Sequence, residues 1–258
     1  MEKDKKKEIV NQLLETFRSA GNLALKLRKE GLKETIKEDN TPVTNGDIEV
    51  NNIITKRIED ITPEIPIVSE EAIKNKNLTD LSTFWLIDPI DGTYDYINGR
   101  DEFTINAALI INKIPELGII NAPAKKRLFY SHCVNNSYEE SNNKIVQLKS
   151  FQHREDNSIN AVTYSDNIKP DIKKIHEKYK VKNFVKMKSS LKFCVVASGE
   201  FDLYVAEPRA CEWDIAAGDA ILRNAGGSVT DFNGNIITYG KKDFKNPSLI
   251  LKGSKFKQ

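Results

Sequence analysis

The first sixty residues carry hydrophobic positions at helical spacing. Apolar residues recur every three or four positions through residues 9–27, and Gly31 follows as a residue that commonly ends helices. A second run with the same spacing, residues 50–61, begins just after Asp47, which we interpret as its N-cap. The pattern predicts two amphipathic helices joined by a polar segment, residues 37–46.

Short apolar and β-branched runs further along the chain predict strands. In the first half the predicted strands are residues 65–68, 84–87, 103–111, 114–120 and 128–133. In the second half the predicted strands are residues 159–164, 184–187, 201–205, 228–231 and 248–251, alternating with helices at 170–179, 191–199 and 213–224. No element is predicted in the polar segment 135–149. This order predicts an α/β protein with an α+β domain, residues 1–148, and an α/β domain, residues 149–258.

Composition and charge exclude several classes of protein. The chain has 258 residues, 39% of them hydrophobic, so it can bury a substantial core. The net charge is only +2, without the basic excess of most nucleic-acid-binding proteins. Three widely spaced cysteines match neither a disulfide framework nor a zinc site, and no stretch resembles a signal peptide or a membrane span. We expect a cytoplasmic monomer or homodimer whose partner is a small molecule and not a nucleic acid polymer.

Acidic residues that could carry chemistry occur in four separated groups. These are Asp47, the pair Glu70 and Glu71, the pair Asp88 and Asp91, and Asp214. Asp88 and Asp91 follow a predicted strand across a turn that contains Pro89, a spacing that can aim both carboxylates at one point. Two such carboxylates repel each other unless a cation lies between them. Oxygen ligands without histidine or cysteine favour Mg²⁺.

Gly92 and Thr93 follow directly, where the chain turns toward a helix. Backbone N–H groups at a helix start are unpaired and, with the positive end of the helix dipole, can bind a phosphate group. Taken singly, each of these motifs is common as a surface turn, a solvated pair or a helix cap. Their joint occurrence in this order predicts a phosphoryl-transfer site.

Three longer stretches contain most of these residues. They are Val68-Ser69-Glu70-Glu71, Trp85-Leu86-Ile87-Asp88-Pro89-Ile90-Asp91-Gly92-Thr93 and Trp213-Asp214-Ile215-Ala216-Ala217-Gly218. The stretches resemble motifs of the inositol monophosphatase superfamily, a group of lithium-sensitive, magnesium-dependent phosphatases. The resemblance covers nearly the whole chain and implies a layered α-β-α-β-α sandwich, in agreement with the predicted order of elements.

The resemblance also implies a set of metal ligands. Glu70, Asp88 and the backbone carbonyl of Ile90 would hold a first Mg²⁺ ion. Asp88, Asp91 and Asp214 would hold a second, with Asp88 bridging the two. A third, weaker ion would lie near Glu70.

A catalytic pair and a phosphate cradle follow from the same resemblance. Thr93, hydrogen-bonded to Asp47, would orient the attacking water and take its proton. The Gly92 and Thr93 N–H groups would hold the non-bridging phosphate oxygens. No covalent phosphoenzyme is expected, because the stretch from Asp88 to Thr93 contains no cysteine, histidine or serine.

Two further stretches resemble the 3′(2′),5′-bisphosphate nucleotidases of this superfamily. They are Gly99-Arg100-Asp101-Glu102-Phe103-Thr104-Ile105-Asn106 and Ser189-Ser190-Leu191-Lys192-Phe193-Cys194. Such enzymes convert adenosine 3′,5′-bisphosphate to AMP and thereby clear a by-product of sulfation and sulfate reduction. Ser189, Ser190 and Lys192 place two hydroxyls and an ammonium near a helix start, which suits a second phosphate.

The chain departs from that subgroup at two places. It has Tyr164-Ser165-Asp166-Asn167 where the nucleotidases usually carry Ser-Arg-Ser-His, and Ala206-Glu207-Pro208-Arg209-Ala210 where they often carry Arg-Phe-Gly-Pro-Thr. Arg209 would replace the missing positive charge. Glu207, however, lies seven residues before Asp214, where inositol monophosphatases place a glutamate that contacts inositol hydroxyls.

The departures leave alternatives open. The first is an inositol monophosphatase or a fructose 1,6-bisphosphatase with the same metal site, and the second is a catalytically silent nucleotide- or metal-binding module. Some relatives associate with the inner face of the membrane, so peripheral attachment is a further possibility.

Overall fold

The computed structural model describes residues 1–37, 40–72, 81–153 and 155–257. Within these ranges the helices are α1 (Lys3–Glu30), α2 (Asn45–Ile61), α3 (Thr93–Ile97), α4 (Pro170–Lys178), α5 (Leu191–Ala197) and α6 (Glu212–Asn224). The strands are β1 (Glu34–Ile36), β2 (Pro42–Thr44), β3 (Ile67–Ser69), β4 (Phe84–Asp91), β5 (Thr104–Ile111), β6 (Ile114–Ala122), β7 (Arg127–Cys133), β8 (Asn136–Ser141), β9 (Lys144–Gln147), β10 (Ile159–Thr163), β11 (Val181–Lys186), β12 (Leu203–Ala206), β13 (Ser228–Thr230) and β14 (Leu249–Lys252).

The described strands form two large sheets and one hairpin. The larger sheet has seven strands in the order β3-β4-β5-β6-β7-β8-β9, antiparallel except for the parallel pair β3–β4. The smaller sheet has five strands in the order β11-β10-β12-β14-β13, with β10 parallel to both of its neighbours. β1 and β2 pair with each other as a separate antiparallel hairpin.

Alternating strand residues divide the core into layers. In β4, Trp85 and Ile87 pack with α1 and α2 on one face of the larger sheet, while Phe84 and Leu86 face the other way. That second face packs on α5 and α6, which fill the space between the sheets. The smaller sheet turns its remaining face to α4. The predicted layered α-β-α-β-α architecture is therefore confirmed.

Helix α2 begins earlier than the sequence pattern predicted. Its N-cap is Thr44, whose hydroxyl accepts hydrogen bonds from the N–H groups of Gly46 at 3.1 Å and Asp47 at 3.4 Å. Asp47 is the third helical residue, and its carboxylate accepts from the Thr44 N–H at 2.8 Å. The interpretation of Asp47 as the N-cap was wrong because this reciprocal capping box places the cap three residues upstream.

Strand β4 also differs from its prediction, since it continues to Asp91 rather than ending at residue 87. Asp88 pairs with Asn106 of β5, and Asp91 pairs with Thr104, so β4 has one extra residue between the two pairs. Pro89 lies in this interval and cannot donate a ladder hydrogen bond. Residues three apart in a regular strand face opposite sides, but a one-residue bulge lets Asp88 and Asp91 turn to the same side.

Four strands lie in polar segments and were not predicted from the hydrophobic pattern. β8 and β9 lie in the segment for which no element was predicted, and β1 and β2 flank the polar loop after α1. Most side chains of these strands are exposed or half-buried, so their sequences show no alternation of apolar and polar residues. No helix among the described residues is both long and apolar enough to cross a bilayer. Division into two domains near residue 148 stays a prediction. One hydrophobic cluster contains residues from both sides of that boundary.

Candidate active site

Three predicted metal ligands converge between the ends of three elements. Glu70 follows β3, Asp88 lies in β4, and Asp214 opens α6. Parallel pairing sets Glu70 beside β4, since its N–H donates to the carbonyl of Ile87 at 3.1 Å. Each of the three carboxylates offers an oxygen, and these oxygens all lie within 4.8 Å of one another.

The carboxylate cluster is electrostatically strained without a cation. Burial raises the pKa of Asp88 and of Asp214 well above their usual range, and the neighbouring carboxylates raise them further. Burial also raises the pKa of Glu70, to about 7. The Oδ1 atom of Asp88 is buried and has no hydrogen-bond partner anywhere in the described chain. Hard oxygen donors with an unpartnered buried atom fit Mg²⁺.

Asp91 lies beside this cluster and not inside it. Its Oδ2 accepts a hydrogen bond from the backbone N–H of Ser190 and lies 3.5 Å from the Thr104 hydroxyl. Its charge nevertheless raises the pKa of both Asp88 and Asp214. The Asp91 carboxylate is therefore anchored to the start of α5 through Oδ2 and interacts electrostatically with the cluster.

Asp47 and Thr93 are hydrogen-bonded to each other. Asp47 is 1% exposed, and its Oδ1 accepts from the Thr93 hydroxyl at 3.2 Å. Its Oδ2 accepts from the Thr44 hydroxyl at 2.6 Å, which fixes the carboxylate. The Thr93 hydroxyl also lies 3.0 Å from the carbonyl of Ile90. Burial raises the pKa of Asp47, so this carboxylate is a stronger base than an exposed one.

A cavity of about 110 Å³ adjoins the carboxylates. Among its lining residues are Asp91, Asp214, Ser189, Ser190, Lys192 and Arg209. The structure thus brings most of the predicted substrate-binding residues to one place. Burial lowers the pKa of Lys192 to about 8, while the nearby Asp91 opposes this effect.

Ser190 and Glu207 both have partners within the chain. The Ser190 hydroxyl donates to Asn106 Oδ1 at 2.9 Å and lies 2.8 Å from the Thr104 hydroxyl, so it contacts β5. Glu207 lines an adjoining cavity of about 360 Å³, where its carboxylate pairs with Lys169. The backbone N–H of Ser190 also anchors Asp91, and the substrate-binding roles of Ser190 and Glu207 stay predictions.

Lys37 is a residue of the site that no sequence motif predicted. Its ammonium lies 3.3 Å from Glu70 Oε1 and 2.6 Å from Glu71 Oε1, and it lowers the pKa of Glu70 against the effect of burial. Lys37 belongs to the loop between β1 and β2, more than thirty positions from its partners. No local sequence pattern indicates such a contact.

Gly92 is required by the backbone at the start of α3. Its φ is +93°, and a Cβ there would lie 3.1 Å from the carbonyl oxygen of Glu102. We expect Gly92→Ala to lose about 1–2 kcal/mol of stability and much of kcat, because α3 must move. Gly99→Ala is the matched control: its φ of +69° carries similar strain, but its Cβ would meet nothing within 4 Å. Thermal unfolding and kcat of both variants test this, and full kcat in Gly92→Ala would contradict it.

Comparisons with known proteins agree with this geometry. A model of the inositol monophosphatase family matches residues 5–257. A relative from Buchnera aphidicola, named 3′(2′),5′-bisphosphate nucleotidase CysQ, is 35% identical over 236 residues, 90% of this chain and 88% of the relative. The crystal structure of CysQ from Bacteroides thetaiotaomicron has a TM-score of 0.75 at 27% identity, covering 96% of this chain and 98% of that one.

A more distant structure shows the fold alone. An IMPase/NADP phosphatase complexed with Mg²⁺ and phosphate has a TM-score of 0.79 at 17% identity, covering 96% of this chain and 91% of that one. The family model, by contrast, spans nearly every residue and includes all three acidic motifs. The family predicted from those motifs is confirmed: this chain belongs to the inositol monophosphatase family, whose members are metal-dependent phosphatases.

Proposed function

We propose that this protein is a Mg²⁺-dependent phosphomonoesterase that hydrolyses the 3′-phosphate of adenosine 3′,5′-bisphosphate to AMP and phosphate. The observation that carries the proposal is the buried group of Glu70, Asp88 and Asp214 beside a cavity lined by Lys192 and Arg209. A carboxylate group for metal next to cations for an anionic substrate suits phosphoryl transfer. The relatives named 3′(2′),5′-bisphosphate nucleotidase support the choice of substrate.

The metal ligands would be those that the motifs predict. Glu70, Asp88, Asp91 and Asp214, with the Ile90 carbonyl, would hold two Mg²⁺ ions, and a third would bind weakly beside Glu70. Bound Mg²⁺ supplies Lewis-acid chemistry, lowering the pKa of a water and offsetting charge on phosphate and leaving group. The Mg²⁺ and phosphate bound to the related IMPase/NADP phosphatase support this choice of ion.

The chain itself would supply proton transfer and orientation. Thr93 Oγ1 takes a proton from the attacking water as it passes its own to Asp47 Oδ1, along the 3.2 Å hydrogen bond between them. The oxygen of the water attacks phosphorus, the bond from phosphorus to the 3′-oxygen breaks, and solvent protonates the leaving oxygen. The N–H groups of Gly92 and Thr93, at the start of α3, hold the non-bridging oxygens.

The second cavity favours a nucleotide over an inositol phosphate. Its volume of about 360 Å³ adjoins the first cavity through Tyr164, Tyr204 and Arg209, and part of its wall is apolar. That space suits a base and ribose attached to a phosphate in the first cavity. Glu207, the residue that favoured inositol, is instead paired with Lys169.

The proposed function is tested by phosphate release from adenosine 3′,5′-bisphosphate, inositol 1-phosphate and fructose 1,6-bisphosphate. Each substrate is assayed with Mg²⁺, with EDTA, with added Ca²⁺ and with lithium. We expect a strong preference for the nucleotide, no activity in EDTA, and inhibition by lithium and by Ca²⁺, which tolerates poorer geometry than Mg²⁺. Preference for inositol 1-phosphate would keep the metal site and overturn the substrate; no cleavage of any substrate would favour a silent binding module.

Thr93→Val should remove the proposed proton path and little else. We expect kcat to fall about 10²- to 10⁴-fold with a small change in KM, because a general base loses its relay while the binding groups remain. Thr55→Val on α2 is the matched control, since its hydroxyl also donates to a side-chain oxygen, Asn51 Oδ1 at 3.4 Å, but away from the site. Steady-state kinetics decide the matter, and an unchanged kcat in Thr93→Val would exclude the relay.

With this activity the protein would clear a by-product of sulfur metabolism. A cytoplasmic location and a monomeric or homodimeric state remain predictions, to be checked by cell fractionation and by light scattering.

A further inference from the structure

Cations gather around the ring of Tyr164, a residue that lines the first cavity. Lys188 Nζ lies 3.4 Å from the ring centroid, and Arg209 Cζ lies 3.6 Å from it. Lys192 Nζ, deeper in the cavity, lies 5.8 Å from the same centroid. Three positive charges therefore meet at one aromatic side chain beside the proposed metal site.

These cations lack the partners that nearby cations have. Lys169 pairs with Glu207, and Lys186 pairs with Asp166. Across the described ranges, by contrast, no carboxylate lies within salt-bridge distance of the Lys188 or Arg209 side chain. The carboxylate of Glu102 instead accepts the Lys188 backbone N–H at 2.9 Å.

The ring explains how two unneutralised cations can stay together. A cation over an aromatic face is attracted by the ring quadrupole, which offsets part of the mutual repulsion of Lys188 and Arg209. Contact with Arg209 also lowers the pKa of the Tyr164 phenol. What remains is a local excess of positive charge that an anion would neutralise.

We propose that Lys188 and Arg209, held on Tyr164, bind the second phosphate of the substrate, the one that is not hydrolysed, and so select bisphosphates over monophosphates. The proposal rests on the proposed function. Tyr164 and Arg209 line the same cavity as Asp91 and Asp214, so one molecule can place one phosphate at the carboxylates and the other at the ring. Lys192, 6% exposed, is a buried residue of the same cavity.

The test compares two substrates with the same scissile bond. Adenosine 3′,5′-bisphosphate and adenosine 3′-monophosphate differ only in the second phosphate. For Lys188→Gln and for Arg209→Gln we expect the ratio of kcat/KM, bisphosphate over monophosphate, to fall roughly 10- to 100-fold each, the effect of losing a charge-assisted hydrogen bond. kcat/KM for the monophosphate should fall much less than kcat/KM for the bisphosphate, since the monophosphate lacks the phosphate that these two side chains would bind.

Matched variants separate a local effect from a change in net charge. Lys186→Gln removes the same charge nearby, from a lysine that already pairs with Asp166, and should leave the ratio unchanged. Tyr164→Phe keeps the ring and should keep most of the ratio, whereas Tyr164→Leu should lose it. An equal loss for both substrates in Lys188→Gln and Arg209→Gln, or an unchanged ratio, would overturn the inference.

Failure of the proposed function has a different signature. If the wild type cleaves neither nucleotide, that function is wrong, and the anion site is judged by calorimetric binding of adenosine 3′,5′-bisphosphate. Affinity at least tenfold weaker in the Lys188→Gln/Arg209→Gln double variant would support the site. Equal affinity, or no binding to the wild type, would overturn it.

Discussion

Asp214→Asn is expected to lose at least about a thousandfold in kcat/KM, about 4 kcal/mol of transition-state stabilisation, while still folding. The reason is that the amide removes one of three converging charges without removing an acceptor. Asp214 Oδ2 accepts the Cys211 N–H at 2.7 Å, and an asparagine oxygen can keep that bond and the start of α6. Steady-state kinetics with saturating Mg²⁺, together with circular dichroism, measure both parts.

Glu71→Gln is the matched control for that variant. Glu71 is adjacent in sequence to Glu70 and contacts the same lysine, Lys37, but it is not in the converging group. Its loss of activity should be much smaller than that of Asp214→Asn. Comparable losses in the two variants would mean that general negative charge, not a specific metal ligand, governs the activity.

Metal removal is expected to make stability depend steeply on pH. Without a cation, folding keeps a proton on Glu70 up to about pH 7, whereas its ordinary pKa is 4.5. Between these two values the folded protein binds more protons than the unfolded chain, so the free energy of unfolding falls as the pH rises. Asp88 and Asp214, whose pKa values burial also raises, act in the same direction.

Bound Mg²⁺ should reverse this trend, because it favours the ionised carboxylates. At 100 times its dissociation constant it should contribute about 2.7 kcal/mol, or roughly 5–10 °C in Tm near neutral pH. Thermal unfolding from pH 4.5 to pH 7, the interval given by the ordinary and folded pKa values of Glu70, measures both effects in EDTA and in Mg²⁺. Asp214→Asn should flatten the pH dependence in EDTA, and an apo protein that gains stability over this interval would refute the assignment.

Local sequence was sufficient for most of the fold. The first helix and most strands of the two sheets leave apolar periodicities because each buries one or two faces against a helix layer. The start of α2 was misplaced because both Thr44 and Asp47 are good capping residues, and only their reciprocal hydrogen bonds show which one is the N-cap. β8 and β9 were missed because their exposed polar residues leave no such pattern.

The candidate site was likewise only partly predictable from the sequence. Glu70, Asp88 and Asp214 could be selected from the sequence because each sits in a short motif: Glu70 and Asp88 follow apolar runs, and Asp214 lies at the start of a helix. Tertiary structure decided that their oxygens converge, through the parallel pairing of β3 with β4 and the approach of α6. The sequence could not show that Ser190 binds β5 and Asp91, because those contacts join residues more than eighty positions apart.

The sequence by itself determined the layered architecture, the family and the acidic motifs, since these depend on residue type and on spacing along a few turns or strands. Only the tertiary structure decided where charge accumulates. Lys37 approaches Glu70 from a separate hairpin. Lys188, Arg209 and Tyr164 come from three different segments and meet at the Tyr164 ring. Electrostatic interactions act through space and not along the chain, so their partners appear only once the sheets and helices are packed.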